Sequence, residues 1–465
     1  MFFKAKHVHF IGIGGIGMSG IAEILLNLGY RISGSDLKLS AVTGRLAGLG
    51  AQIFAGHDAA HVDAADAVVV SSAIGDDNPE AAEARRRQIR VIPRGEMLAE
   101  LMRLKYGIAV AGSHGKTTTT SMVAAVLSQA GMDPTVVVGG RVAGMGSSAR
   151  LGKSDFLVVE SDESDRSFLH LAPILAVVTN IDREHLDRYG SLEDVQAAFV
   201  EFANKVPFYG AAILCADDPP ARAIQPRVRR RVLTYGTASG AYLAAEAIRG
   251  GHFSSDFRLR YRGDDLGAFH LRSPGRHNVL NAMAAALVGL ELEIPVETIR
   301  QGLAAFGGVD RRFQVRGERA GVTVIDDYGH HPSEIRATLA AARGCDFRRI
   351  HVLFQPHRYT RTQHLMDEFA ACFGNCDALH VLDIYAASEK PLEGVDARAL
   401  VERIRQASAP QARYWPSMDA AVAEIARAAV DGDVVITLGA GSVYQAAEKL
   451  LHALTHDCEE ATARP

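Results

Sequence analysis

Long apolar runs are missing from this sequence. No stretch approaches the ~18 residues that a bilayer-spanning helix needs, so no membrane segment is expected. Residues 1–9 carry Lys4 and Lys6 but run straight into glycine-rich chain, without the apolar stretch and small-residue cleavage site of an export signal. Cysteine is scarce as well. Five residues (Cys215, Cys345, Cys372, Cys376 and Cys458), odd in number and mostly scattered, do not make a disulfide framework. Cys372 and Cys376 are spaced to share one helix face. With no second pair at ligand spacing, they read as two small residues on a packed surface rather than a metal site. Nor is there an excess of one charge: 50 Lys and Arg against 54 Asp and Glu leave a net charge of -4. That balance gives no electrostatic reason to expect nucleic acid or an anionic membrane as partner. The cytoplasm is the expected compartment, with monomer and homodimer both open.

Apolar material is plentiful, at 48% of 465 residues. At roughly 150 residues per domain the length suggests three domains. Strand-type and helix-type patterns alternate throughout, which implies parallel sheets covered by helices. Residues 7–13 predict a strand, 16–28 a helix ending at Gly29, 30–33 a short strand closing on Gly34-Ser35-Asp36, and 67–71 another buried strand. A second unit opens near Tyr106, with a strand at 108–111 and a helix at 118–130. Strands at 156–160, 175–179 and 211–215 follow, then β-hairpins over 242–271 and an Ala-rich helix at 277–290. After Asp310-Arg311-Arg312-Phe313 come strands at 322–325, 350–354, 378–382 and 433–437, separated by helical stretches, and a tail from about Asp457 that is expected to be disordered. The expected fold is α/β in three domains, 1–105, 106–311 and 312–465. The first and third are Rossmann-like, and the central one is a P-loop ATPase type with a mostly parallel sheet.

Several motifs carry chemistry. Gly12-Ile13-Gly14-Gly15-Ile16-Gly17 follows a strand and opens a helix, so its backbone can approach a diphosphate; Asp36, after the next strand, is placed to meet a ribose hydroxyl. A glycine turn of purely structural use would look the same. Gly112-Ser113-His114-Gly115-Lys116-Thr117-Thr118 is a strand–loop–helix phosphate cradle in which Lys116 adds a point charge and a threonine hydroxyl can reach Mg²⁺. It is shorter than the usual loop, with Val110 where the first glycine is normally found. The acidic run Glu160-Ser161-Asp162-Glu163-Ser164-Asp165 ends a strand beside that loop, where α/β folds hold Mg²⁺, and Glu160 is the expected ligand. In Asn180-Ile181-Asp182-Arg183-Glu184-His185, the histidine either ligates metal or caps a turn. Arg276-His277-Asn278-Val279-Leu280-Asn281 begins a helix and either reads adenine or phosphate or simply caps that helix. Arg358 and Arg361, three apart, would share a helical face and could clamp a carboxylate, unless they are ordinary surface arginines.

Taken together, four stretches resemble the Mur ligase family: residues 9–20 (HFIGIGGIGMSG), 111–120 (AGSHGKTTTT), 326–332 (DDYGHHP) and 354–362 (FQPHRYTRT). The likeness runs from about His7 to about Leu451, and the short phosphate loop matches the family's own shorter pattern. It implies that ATP drives amide-bond formation between L-alanine and the carboxylate of UDP-N-acetylmuramate through an acyl-phosphate, in peptidoglycan precursor synthesis. It implies a UDP-sugar site in the first domain on Gly12, Gly14, Gly15, Gly17, Asp36, Ser71 and Ser72. ATP would lie on Gly112, Ser113, His114, Gly115, Lys116, Thr117, Thr118, Asn278 and Asn281. Thr117 and Glu160 would serve one Mg²⁺, and His185 a second. Lys116, His277 and Arg312 are the implied catalytic residues: Lys116 on the phosphates, His277 on phosphates or the sugar carboxylate, Arg312 on ATP from the domain junction. Tyr328, His330, Arg358 and Arg361 would surround the L-alanine. Sister ligases hold metal with a carbamylated lysine where Gln196-Ala197-Ala198-Phe199-Val200-Glu201 has none, which agrees with the alanine-adding member. Two alternatives are a ligase that reattaches a recovered tripeptide and a nicotinamide-binding oxidoreductase.

Overall fold

The computed structural model describes residues 6–71, 73–139, 149–184, 186–238, 240–407 and 411–462, except for the side chains of 16, 186, 187 and 455–462. Three β-sheets make it a three-domain α/β protein with mostly parallel strands. The chain divides into two compact units. One comprises Met1–Ala247, Phe257–His270 and Leu280–Gly307; the other comprises Ile248–Asp256, Leu271–Val279 and Gly308–Pro465.

In the first sheet, His7–Ile11 is buried at every position and pairs in parallel with Arg31–Asp36 and Ala67–Val70. A strand covered on both faces shows no alternation, which is why it reads as an unbroken apolar run. The edge strands Gln52–Ala55 and Arg90–Pro93 are short and partly exposed, and the sequence pattern missed both. The second strand also runs further than expected, through Ser35 to Asp36. Serine and glycine are weak strand signals, but this strand needs Gly34. A Cβ there would stand 2.5 Å from the Ile13 side chain.

The central sheet is built on Tyr106–Ala111, which lies between Leu175–Val178 and Phe156–Glu160 with both pairings parallel. Lys116–Gln129 follows as a helix whose first turns are a run of four threonines, all buried. Such residues are poor helix formers, so packing holds this helix. Val296–Ala304 lies against it, and a Cβ on Gly302 would come within 2.9 Å of the Val126 backbone. The 242–271 region forms three consecutive strands: Leu243–Gly251, Ser254–Tyr261 and Asp264–Leu271.

The third sheet orders Val322–Asp327, Val434–Leu438, Ile350–Phe354, Ala378–Val381 and Gln411–Tyr414 in parallel, with Gln314–Arg319 antiparallel at one edge. Two expectations fail here. Cys372 and Cys376 do not share a helix: the helix Met366–Ala370 stops first, and each thiol donates to the backbone carbonyl three residues earlier, 3.3 Å and 3.1 Å away. Both are buried, which pushes their thiols well above the ordinary cysteine range. Residues 458–462, expected to be disordered, continue the helix Gln445–Thr462, whose Ala, Leu, Glu and Lys residues favour helix, and residues 463–465 lie outside the described residues. Among the described residues no helix is long and apolar enough to cross a membrane.

Candidate active site

Where the central strand ends at Ala111, the backbone turns through conformations only glycine accepts easily. Gly112 has φ +137°, and a Cβ on it would lie 2.1 Å from Thr179 Oγ1. Gly115 has φ +77°, and a Cβ there would lie 2.6 Å from Asn281 Oδ1. Gly115 is also the N-cap of the helix Lys116–Gln129, where no side chain caps the first turn. The open amides and the helix dipole therefore face any anion placed there. The neighbouring strand end fastens this loop. Thr179 Oγ1 and Asn180 Nδ2 donate to the His114 carbonyl at 2.7 Å and 3.0 Å, while the His114 amide donates to Asn180 Oδ1 at 2.8 Å. The Asp182 amide donates to Ser113 Oγ at 2.8 Å, and the His114 ring lies 2.9 Å from Asp182. Thr118 is buried in the first helical turn.

Lys116 folds back over its own loop. Its Nζ donates to the Gly112 and Ser113 carbonyls at 2.6 Å and 3.1 Å and to Glu163 Oε1 at 2.8 Å. Burial alone would drive its pKa down. The charge of Glu163, and after it those of Glu184 and Glu160, holds it above the ordinary lysine value, so the ammonium stays charged. Beside it, Thr117 Oγ1 donates to Glu160 Oε1 at 2.9 Å, and the Gly139 amide donates to Glu160 Oε2 at 2.5 Å. A hydroxyl and a strand-end carboxylate are hard oxygen donors of the kind Mg²⁺ takes, so these residues fit that ion. Asn281 completes the group by accepting from Thr119 Oγ1 at 3.1 Å. Asn278 instead donates to the Pro274 carbonyl at 2.8 Å, a bond at the start of its helix.

At the first sheet, the Ser35 carbonyl accepts from the amides of Gly12 (2.8 Å) and Ile13 (3.0 Å), and Asp36 Oδ2 accepts from Gly14 N at 2.9 Å. Gly15 N-caps the helix Ile16–Asn27, again with no side-chain cap. A Cβ on Gly17 would come within 3.1 Å of the Arg94 side chain. Ser71 follows the strand Ala67–Val70 and accepts from the Ile74 amide at 3.1 Å. Ser72 and His185 lie outside the described residues.

In the second unit, Arg312 pairs with Glu334 at 3.0 Å and lies over the Tyr328 ring at 5.3 Å. Desolvation, with help from the Arg312 charge, lowers the pKa of His277 to about 4, so its imidazole is neutral near pH 7. The Tyr328 and His330 rings meet edge to face at 5.3 Å, and the His330 and His357 rings lie 6.0 Å apart. His357 stacks on Tyr385 at 5.5 Å, and its Nδ1 accepts from Arg361 Nη1 at 3.3 Å. Arg358 differs from expectation. It is the N-cap of the helix Tyr359–His364 with φ +73°, so it stands outside the helical turn that was expected to align it with Arg361.

Sequence reasoning passed over Glu163, Thr179, Asn180, His357 and Tyr385. Glu163, Asn180 and His357 stand inside runs that the sequence singles out, but only the fold shows which carboxylate meets Lys116, which amide meets His114 and which imidazole meets Arg361. Tyr385 lies in the connection after the strand Ala378–Val381, where the sequence offers no motif.

Models of the Mur ligase family match this chain in sequence: the catalytic domain at residues 7–106, the middle domain at 110–289 and the glutamate ligase domain at 311–441. The UDP-N-acetylmuramate–L-alanine ligase of Solibacter usitatus is 66% identical over 455 residues, covering 98% of this chain and 96% of that one. Its counterpart from Koribacter versatilis is 59% identical, covering 98% of each. Among solved structures, the UDP-N-acetylmuramate–alanine ligase of Thermotoga maritima superposes with a TM-score of 0.80 at 27% identity, covering 97% of this chain and 99% of that chain. A glycine-tight loop opening a helix, an acidic strand end beside it and this likeness along nearly the whole chain have one reading: the protein belongs to the Mur ligase family.

Proposed function

We infer that this chain is an ATP-dependent ligase that joins L-alanine to the carboxylate of UDP-N-acetylmuramate, giving UDP-N-acetylmuramoyl-L-alanine, ADP and phosphate in peptidoglycan precursor synthesis. The likeness to relatives named for this reaction carries the reading, and the Lys116 loop supplies chemistry that suits it. Residues 1–105 hold the UDP-sugar, 106–311 hold ATP, and 312–465 hold the amino acid. The reaction takes place in the cytoplasm. A dinucleotide oxidoreductase would leave the Lys116 loop and Glu160 without a use.

A carboxylate is a poor acyl donor because its leaving group would be oxide. Phosphorylation of the muramate carboxylate by the γ-phosphoryl group of ATP supplies a good leaving group, and the neutral amine of L-alanine then displaces phosphate. Lys116 and the amides of Gly112–Thr118 hold the phosphates and offset the charge that shifts between them. Thr117 and Glu160 would hold Mg²⁺, which would supply positive charge to offset that of the phosphates. His277, neutral near pH 7, can donate a hydrogen bond to a phosphate or carboxylate oxygen without adding charge. Arg312 adds a cationic contact to ATP. Arg358 and Arg361 hold the alanine carboxylate, with Tyr328 and His330 beside it. Water must be kept from the acyl-phosphate until the amine arrives.

With UDP-N-acetylmuramate and ATP but no amine, the enzyme should form the acyl-phosphate and stall. Positional exchange of labelled oxygen in ATP should then be seen, and reduction should trap the activated carboxyl as an alcohol. If both signals require L-alanine, activation does not precede amine binding and the proposed order of steps is wrong.

A further inference from the structure

A carboxylate lies completely buried in the first domain and, among the described residues, its ion-pair partners are histidines rather than arginine or lysine. Glu80 opens the helix Pro79–Arg86, and both it and His9 are 0% exposed. Ser35 Oγ donates to Glu80 Oε2 at 2.6 Å, His61 Nδ1 lies 2.6 Å from Oε1, and His57 Nδ1 lies 3.0 Å from Oε2. His9 Nε2 approaches Oε1 at 3.6 Å, and its Nδ1 bonds Ser33 Oγ at 2.8 Å, which also meets His7 Nε2 at 2.8 Å. Burial pushes the Glu80 carboxyl up, but the hydrogen bonds from its histidines and Ser35 win and hold it at about 2. An ionised, desolvated carboxylate is costly unless every lone pair is used. Replacing such a group with an apolar one often leaves a fold no less stable, so stability alone is a weak reason for it to be here.

The residue it grips explains it better. Ser35 presents its side chain to Glu80 and its carbonyl to the glycine loop, where it accepts from both Gly12 and Ile13. The next residue, Asp36, accepts from Gly14. Three successive amides of that loop thus hang on Ser35-Asp36, and Glu80 fixes the rotamer and height of Ser35 from the far side. We propose that Glu80 is a positioning residue for sugar-nucleotide binding, acting through Ser35 on the loop Gly12–Gly17, with His9, His57 and His61 keeping its carboxylate in place. The proposal rests on that loop being the UDP-sugar site.

The test is steady-state kinetics of the full chain. Glu80→Gln and Ser35→Ala should each raise KM for UDP-N-acetylmuramate by roughly tenfold, the effect of losing one charge-assisted hydrogen bond. Their kcat and KM for ATP should stay within about twofold. The double variant should be little worse than either single one, because both cut the same link. Glu80→Asp should restore part of the loss. Ser35→Ala removes only one oxygen, so it keeps the test usable if Glu80→Gln does not fold. Gly14→Ala is the control, since its Cβ would fall 2.8 Å from Asp36 Oδ2. If Gly14→Ala raises the sugar KM while Glu80→Gln and Ser35→Ala do not, only the role of Glu80 falls. If Gly14→Ala also has no effect, the loop is not the sugar site and both readings fall. Equal rises in both Michaelis constants would reduce Glu80 to a fold-keeping group and overturn the proposal.

Discussion

Lys116→Ala is expected to lower kcat for ATP-dependent phosphate release by roughly 10³-fold, the scale seen when a preorganised charge-stabilising donor is removed, while UDP-N-acetylmuramate still binds. Lys116 is the cation of the loop proposed to hold the phosphates, with its Nζ held against Gly112, Ser113 and Glu163. Its loss also leaves Glu163 buried without a counter-charge, and such a carboxyl protonates instead of staying ionised. Lys116→Arg should rescue little, because a planar guanidinium cannot replace a compact ammonium set between two carbonyls and a carboxylate. The glycine loop at residues 12–17 lies on a different sheet, so calorimetric titration with the UDP-sugar should give nearly the wild-type affinity. A variant that lost sugar binding but kept turnover would reverse the assignment of the two loops.

Arg358→Ala and Arg361→Ala are expected to raise KM for L-alanine by roughly tenfold to a hundredfold, the cost of a charge-assisted hydrogen bond worth about 1.5–3 kcal/mol. KM for ATP should move far less. L-Alanine offers almost no apolar surface, so its affinity must come mainly from its charged carboxylate. Arg361 is the better held of the two arginines, since His357 Nδ1 accepts from it. Desolvation first, then the nearby His330, Arg361 and Arg358, lowers the pKa of His357 to about 4, which keeps that nitrogen free to accept at neutral pH. Lysine at either position should restore only part of the loss. Glycine and serine should react poorly but measurably, because one methyl group gives only ~1–3 kcal/mol of discrimination. A double variant with wild-type dependence on alanine would move the amino-acid site elsewhere in the third domain.

The sequence made the central strands and the helix starts legible because they are extreme. Strands such as Phe156–Glu160, Ala211–Cys215 and Ile350–Phe354 fall where the apolar runs put them, since burial on both faces leaves no ambiguity of period. Edge strands such as Gln411–Tyr414 did not stand out, because four half-exposed residues carry little pattern. The loop 112–118 was legible for a related reason. Gly112 and Gly115 combine positive φ with close approach to Thr179 and Asn281, which disfavours any side chain there, and that constraint leaves its mark in the sequence. Side chains that act through another group leave no such mark. Glu80 reads as an ordinary first-turn acid of a helix, and its role depends on Ser35, 45 residues away. Three-residue spacing aligns Arg358 with Arg361 only on a continuous helix, and the φ of +73° at Arg358 breaks the turn there.

The most direct measurement is phosphate release by the purified chain with ATP and UDP-N-acetylmuramate, combined with L-alanine, with the L-alanyl tripeptide, or with no amine, and mass analysis of the nucleotide-sugar product. Steady release should occur only with L-alanine, matched mole for mole by a UDP-sugar heavier by one alanyl residue. Turnover with the tripeptide in preference to L-alanine, or no ATP consumption with any amine, would contradict the assignment of this chain as the alanine-adding ligase.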